Sequence, residues 1–142
     1  MNDFLTLWND GHIPIFDGLY FPDGTIFDLR LRCCPSPRII RGQPFVVDWR
    51  NVDSSRLTSL TETFCLDLLE FGKMSLGEGS YGSEGFFAYY NGKNELQWAC
   101  YSEFSNPFIT AEYKGDGQAI VESSADYRIN VDVLRPQDMH IL

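Results

Sequence analysis

Alternation of apolar and polar residues dominates the second half of the chain, and this pattern most narrowly limits what the sequence can fold into. Between 95 and 104, Leu96, Trp98 and Cys100 fall on one face. Between 127 and 133, every second residue is again apolar. Because successive side chains of a strand point to opposite faces, a period of two predicts β-strands with one buried face rather than helices.

Turn signals separate these segments. Asn91-Gly92-Lys93-Asn94 and Lys114-Gly115-Asp116-Gly117 each lie between two strand-like runs, and both contain residues that tolerate a positive φ. Such sequences predict β-hairpins. Ser123-Ser124-Ala125-Asp126 then turns the chain into the last predicted strand.

The first half is less regular but is also typical of a sheet. Strands are predicted over Thr25–Cys33 and Phe45–Trp49. The stretch 54–71 fits both a helical stripe and a strand, and we predict a short helix near 54–61 followed by a strand near 63–71. The whole chain, 1–142, is predicted to be a single mainly β domain. Its sheet is expected to be an antiparallel meander, sandwich or barrel of about six to eight strands with one short helix, and α+β is the alternative.

The charge of the chain limits its partners. It has 20 acidic and 11 basic side chains, for a formal net charge of −9. Binding to nucleic acid or to an anionic membrane needs positive charge, so neither is expected, whereas a cationic partner is favoured. The six arginines between Arg30 and Arg56 form a local basic stretch, which we expect to make ion pairs with the acidic remainder.

The sequence predicts a cytoplasmic protein. The first residues, MNDFLTLWNDGH, lack the basic start and apolar stretch of a signal peptide. No apolar run approaches the ~20 residues of a membrane span.

No motif predicts catalysis or a cofactor. Gly77–Gly82 matches the pattern G-x-G-x-x-G, but an aromatic strand follows it rather than a helix, so we interpret it as a loop between strands. His12 and His140 lie at opposite ends of the chain, and the four cysteines lack the short spacings of zinc sites. We therefore expect four reduced cysteines, no metal, no cofactor and no enzymatic activity.

The polar faces of the predicted strands carry acids beside tyrosines. If Leu96, Trp98 and Cys100 point inward, the residues between them point outward. Exposed tyrosines are typical of protein-recognition sites, because a rigid amphipathic ring loses little entropy on binding. The predicted partner-binding residues, which could form one acidic surface, are Glu78, Tyr81, Glu84, Glu95, Gln97, Tyr101, Glu103, Glu112 and Glu122. An ordinary solvated sheet face is an equal alternative, and the same tyrosines could instead stack on a sugar.

The stretch from Leu76 to Asp132 also resembles a known class of proteins. The elements GEGSYGSEGFFAYY, LQWACY, SNPF and GQAIVESSADYRINVDV are similar to those of small acidic immunity proteins of bacterial polymorphic toxin and contact-dependent growth inhibition systems. This resemblance implies a stoichiometric inhibitor that binds a cognate toxin domain, often a cationic nuclease, in the cytoplasm of the producing cell. It implies no catalytic residues. A small ligand- or carbohydrate-binding β module is the alternative function.

Overall fold

A computed structural model describes residues 3–142, which form one α-helix, thirteen strands and four 3-10 turns. The helix α1 spans Phe4–Asn9, and the strands are β1 His12–Pro14, β2 Gly18–Tyr20, β3 Thr25–Arg32, β4 Arg38–Val46, β5 Leu57–Ser59, β6 Thr61–Asp67, β7 Lys73–Glu78, β8 Gly85–Tyr90, β9 Leu96–Ser102, β10 Phe108–Gly115, β11 Gln118–Ser123, β12 Arg128–Asp132 and β13 His140–Ile141. The 3-10 turns are Trp49–Asn51, Ser54–Arg56, Leu69–Phe71 and Pro136–Asp138.

The strands form three antiparallel sheets. The largest has seven strands in the order β4-β3-β2-β9-β8-β7-β6, the second has the order β10-β11-β12-β13, and the third pairs β1 with β5. The prediction of a mainly β, antiparallel fold is confirmed. The strands are more numerous than predicted, and the seven-stranded sheet stays open, with β4 and β6 as its edges.

The central strands of the seven-stranded sheet, β2 and β7–β9, are buried on both faces, whereas the edge strands β4 and β6 are largely exposed. One face packs against the four-stranded sheet, where Phe87 and Trp98 meet Val121 in the larger hydrophobic cluster. The Trp98 indole N–H joins these two layers by donating to the carbonyl of Val133 at 2.8 Å. The large sheet is thus the middle layer of the domain.

A second hydrophobic cluster covers the opposite face of the large sheet. Phe4 and Trp8 of α1 pack there with Tyr20 and Tyr101. The helix begins after Asp3, whose carboxylate accepts the Thr6 N–H at 2.8 Å and so caps the first turn. Phe4 and Trp8 are four residues apart, which places both on the helix face that is buried.

The predicted hairpins are confirmed. The turn 91–94 joins β8 to β9, and the turn 114–117 joins β10 to β11. Asn94 and Asp116 have φ values of 62° and 53°, the left-handed conformation that these residue types tolerate. The predicted strand Thr25–Cys33 corresponds to β3.

Three predictions in the first half need correction, and two of them concern the stretch 54–71. The stretch 54–61 is a single 3-10 turn followed by β5 rather than a helix, because Leu57–Ser59 pair with β1 as a strand. Asp53 caps the turn by accepting the Ser55 N–H at 2.9 Å. The strand predicted near 63–71 is β6, which starts earlier and ends at Asp67. The Asp67 carboxylate accepts the Leu69 N–H at 2.8 Å, and the chain leaves the sheet in a 3-10 turn.

The strand predicted over Phe45–Trp49 is also misplaced, because β4 runs over Arg38–Val46 and Trp49 begins a 3-10 turn. Among residues 3–142 there is no helix with the length and apolar character needed to cross a membrane.

Candidate functional site

Three aromatic side chains that are strongly exposed lie at the same end of the seven-stranded sheet. Phe16, Tyr81 and Phe104 are 47%, 61% and 48% exposed, and every other large exposed hydrophobic side chain of residues 3–142 is aliphatic. Phe16 lies just before β2, Tyr81 just before β8, and Phe104 just after β9. Because β9 is antiparallel to both β2 and β8, these positions meet at one edge of the molecule. We call the segments 15–17, 78–84 and 103–104 the aromatic end.

A buried carboxylate holds the glycine-rich loop of the aromatic end. Glu84 is completely buried, and one of its oxygens accepts hydrogen bonds from the Thr58 hydroxyl at 2.9 Å and the Tyr81 N–H at 2.8 Å. Its other oxygen accepts a hydrogen bond from the Tyr101 hydroxyl. Three donors compensate for the loss of water around this carboxylate, so Glu84 fixes the loop that presents Tyr81.

The loop also depends on Gly79. A Cβ atom added there would lie 2.3 Å from the carboxylate oxygen of Glu84, so a larger residue would displace the network. The next residue ties the loop to β5, because the Ser80 N–H donates to the Thr58 hydroxyl oxygen at 2.9 Å.

The predicted outward orientation of Tyr101 is wrong, and so is the surface position of Glu84. Both side chains are 0% exposed. Alternation in β9 correctly places neighbouring residues on opposite faces, but the second face is covered by α1 and the β1-β5 pair rather than by water. Burial and the adjacent Glu84 carboxylate raise the pKa of Tyr101, which therefore remains a hydroxyl donor.

An ion pair orders the other half of the aromatic end. The Arg32 guanidinium lies 2.5 Å from the Asp17 carboxylate and 5.3 Å from the centre of the Phe104 ring. Asp17 also accepts the Glu103 N–H at 2.8 Å. These contacts hold Phe104 and Glu103 beside Phe16, and the spacing of the residues in the sequence gives no signal for them.

The remaining arginines of the basic stretch differ in their partners. Arg30 pairs with Asp28 and Arg50 with Asp48, as expected for a mixed-charge surface. Arg38 and Arg41 donate to backbone carbonyls instead. Within residues 3–142, Arg56 has neither an ion pair nor a side-chain hydrogen bond.

Two concave regions open at the aromatic end. One, of about 380 Å³, lies between Arg56, Tyr81 and Glu103. The other, of about 200 Å³, is lined by Phe16, Asp17 and Glu103 together with nearby arginines. Glu103 borders both, and it forms no ion pair with any described residue. It is therefore the acidic group of this end that is best placed to meet a positive partner.

The structure brings together only some of the predicted partner-binding residues. Glu78, Tyr81, Glu84, Tyr101 and Glu103 all belong to the aromatic end or lie directly beneath it. The others lie elsewhere.

Glu95 and Gln97 are at the opposite end of β9, roughly 26 Å and 20 Å from Glu103 if each residue of the strand advances ~3.3 Å. Glu112 and Glu122 lie on the outer face of the four-stranded sheet, where they adjoin basic side chains. The nine predicted residues therefore do not form one continuous surface.

The described residues contain no group of three or more histidine, cysteine or acidic side chains arranged to hold a metal ion. No family model, no curated protein and no solved structure matches this chain. Function is therefore inferred from the geometry and chemistry of the aromatic end.

Proposed function

We propose that this chain is an immunity protein that binds a cognate toxin domain in the cytoplasm and neutralises it by covering its active-site region. The observation that supports this best is the grouping of Phe16, Tyr81 and Phe104 at one end of the sheet. Exposed aromatic rings that are held in place are the side chains that most often dominate the energy of protein interfaces.

The internal contacts of the aromatic end favour binding by a preformed surface. The buried Glu84 network fixes the backbone at Tyr81, and the Asp17–Arg32 ion pair fixes the position of Phe104. A surface that is ordered before binding loses less conformational entropy when a partner arrives. A stoichiometric inhibitor needs this property, because its affinity must keep the toxin fully occupied.

The net charge of −9 favours a cationic toxin domain, such as a nuclease that binds nucleic acid through basic side chains. Complementary charge raises the association rate above the ~10⁵–10⁶ M⁻¹s⁻¹ of partners without electrostatic steering. Glu103, which borders both concave regions, provides local negative charge at the proposed contact.

The test uses a candidate toxin domain from the product of the adjacent gene, in a catalytically inactive form. Its affinity is measured by calorimetry for the unmodified chain and for the variants Tyr81→Ala and Phe104→Ala. Each truncation should weaken binding by about 30-fold or more, as expected for a residue near the centre of an interface. Ile109→Ala is the matched control, because Ile109 is 47% exposed but lies on the four-stranded sheet.

The proposal fails if the toxin domain does not bind, or if all three variants bind as the unmodified chain does. In the first case a glycan array tests the alternative, a carbohydrate-binding β module. Binding that is lost in Tyr81→Ala and retained in Ile109→Ala would support that alternative.

A further inference from the structure

An apolar cavity of about 410 Å³ adjoins the aromatic end, with which it shares Phe16, and lies between the β1–β2 connection and the 3-10 turns that follow β4. Its walls include the rings of Phe16, Tyr20 and Trp49 and the aliphatic side chains of Ile26 and Val52. This volume is within the range of about 300–1,000 Å³ that is typical of small-molecule sites.

The aromatic walls present carbon rather than polar atoms to this cavity. The Tyr20 hydroxyl donates to the carbonyl of Phe16 at 2.5 Å, and the Trp49 indole N–H donates to the carbonyl of Gly24 at 3.0 Å. Both donors are therefore satisfied within the protein. A ligand in this cavity would be held mainly by the burial of its own apolar surface.

Two charged side chains border the cavity, Arg56 and Asp53. The Asp53 carboxylate accepts hydrogen bonds from the Ser55 N–H at 2.9 Å and the Ser55 hydroxyl at 2.7 Å. Arg56 has an exposed guanidinium, and no acidic group among residues 3–142 lies within 4.0 Å of it. The Arg56 guanidinium is therefore free to bind an anionic group of a ligand.

We propose that this cavity binds a small amphipathic monocarboxylate, with its apolar tail against Phe16 and Trp49 and its carboxylate on the guanidinium of Arg56. A guanidinium can donate two parallel hydrogen bonds to a carboxylate, which fixes the head group in one orientation. A basic side chain of the proposed cationic toxin is not a suitable occupant, because Arg56 would repel it. The site is thus a second binding function that does not depend on the proposed one.

The test compares three probes that share one tail and differ in the charge of the head group: octanoate, 1-octanol and octylammonium. Their binding to the purified full chain is measured by calorimetry. Octanoate should bind at one saturable site, about tenfold or more tighter than 1-octanol, because it adds a charge-assisted hydrogen bond to the same tail contacts. Octylammonium should bind more weakly than 1-octanol.

Three variants locate the site. Arg56→Gln should remove most of the preference for octanoate over 1-octanol and leave 1-octanol binding intact. Val52→Trp should abolish binding of both by filling the cavity. Arg135→Gln is the matched control, because Arg135 is also exposed and without an ion pair among the described residues but lies beyond β12, and it should bind octanoate as the unmodified chain does.

The proposal is overturned if octanoate shows no saturable binding, or if Arg56→Gln keeps the same preference for octanoate as Arg135→Gln. Circular dichroism of each variant shows whether it is folded. Because the toxin is absent from this experiment, its outcome is independent of whether the chain is an immunity protein.

Discussion

The hydroxyl of Tyr101 donates to the carboxylate of Glu84, and both side chains are completely buried beneath the loop that carries Tyr81. No basic side chain forms an ion pair with Glu84 within residues 3–142, so neutral and backbone donors alone compensate for its burial. Removing one of these donors would deprive a buried carboxylate oxygen of a hydrogen bond and so destabilise the folded state. Several measurable properties of the domain depend on this contact.

Removing the Tyr101 hydroxyl should destabilise the fold more than removing another buried tyrosine hydroxyl. Tyr101→Phe should lower the free energy of unfolding by about 1.5–3 kcal/mol, the usual range for a hydrogen bond to a charged group. Tyr127→Phe is the matched control, because its hydroxyl donates at 2.8 Å to a neutral acceptor, the Ser105 carbonyl. Tyr127→Phe should lower the free energy of unfolding by about 0.5–1.5 kcal/mol. Equal losses in urea unfolding of the two variants would contradict a special role for the contact with Glu84.

The stabilising effect of Tyr101 should be lost at alkaline pH. Its pKa is raised in the folded state by burial and by the Glu84 carboxylate, whereas in the unfolded chain it is about 10. Above about pH 10 the unfolded chain releases this proton and the folded chain keeps it, so the stability due to Tyr101 is complete below that pH and falls as the pH rises.

The difference in unfolding free energy between the unmodified chain and Tyr101→Phe should therefore shrink between about pH 9 and about pH 11. Urea unfolding at several pH values measures this. Other groups that titrate in this range affect both proteins alike, so a constant difference would show that the hydroxyl does not resist ionisation.

Two glycines of the same loop should respond differently to an added methyl group. Gly79→Ala places a Cβ atom against the Glu84 carboxylate and should destabilise the domain by about 1–3 kcal/mol, as overpacking of a buried site usually does. Gly82→Ala is the control, because nothing lies within 4 Å of the Cβ atom it would add. Its unfolding free energy should stay within about 0.5 kcal/mol of that of the unmodified chain. Thermal or urea unfolding of both proteins gives the comparison.

Charge reversal at the aromatic end should affect toxin binding more than reversal on the four-stranded sheet. Glu103→Lys should slow association with a cationic toxin domain and reduce its dependence on salt, because rim charges act mainly on the association rate. Glu112→Lys, on the outer face of the four-stranded sheet, should change the rate by less than about threefold, since it is far from the proposed contact. Stopped-flow measurements at two salt concentrations test this, and equal effects of the two reversals would place the contact elsewhere.

The cysteines should differ in reactivity according to their burial. Cys34 and Cys65 are exposed, whereas Cys100 is fully buried and burial raises the pKa of its thiol. Because the thiolate is the reactive form, the two exposed thiols should react with a disulfide reagent in the native protein and Cys100 only after unfolding. Titration in denaturant should detect all four thiols, and a smaller number would indicate a disulfide.

The sequence predicted the hairpins and the inner faces of the strands because these depend on local rules. The residues of a turn such as Asn91-Gly92 determine its backbone conformation. The alternation that places Trp98 and Cys100 on one face indicates that this face packs against a core. The same alternation was misleading at Tyr101, since a sheet buried on both faces has polar-looking positions inside the protein. A tyrosine beside acids could not be assigned to the interior without knowing that α1 covers that face.

The candidate site was only partly predictable for a similar reason. Tyr81 and Glu103 can be identified from their neighbours in the sequence, but Phe16 joins them only through the pairing of β2 with β9. That pairing connects residues 79 to 83 positions apart, and no local pattern specifies it. The position of β4 was missed because its residues are largely exposed and lack a regular apolar face.

The burial of the central strands of the large sheet on both faces has a consequence for how the amino-acid sequence can evolve. Strand residues of β8 and β9 contact one core or the other, so most substitutions there are constrained by packing. The connections at the ends of the strands are less buried than the strands themselves, and they carry the exposed side chains of Phe16, Tyr81 and Phe104. Altered specificity can therefore arise by exchange of a few loop residues on an unchanged scaffold, as in other folds that separate recognition from stability.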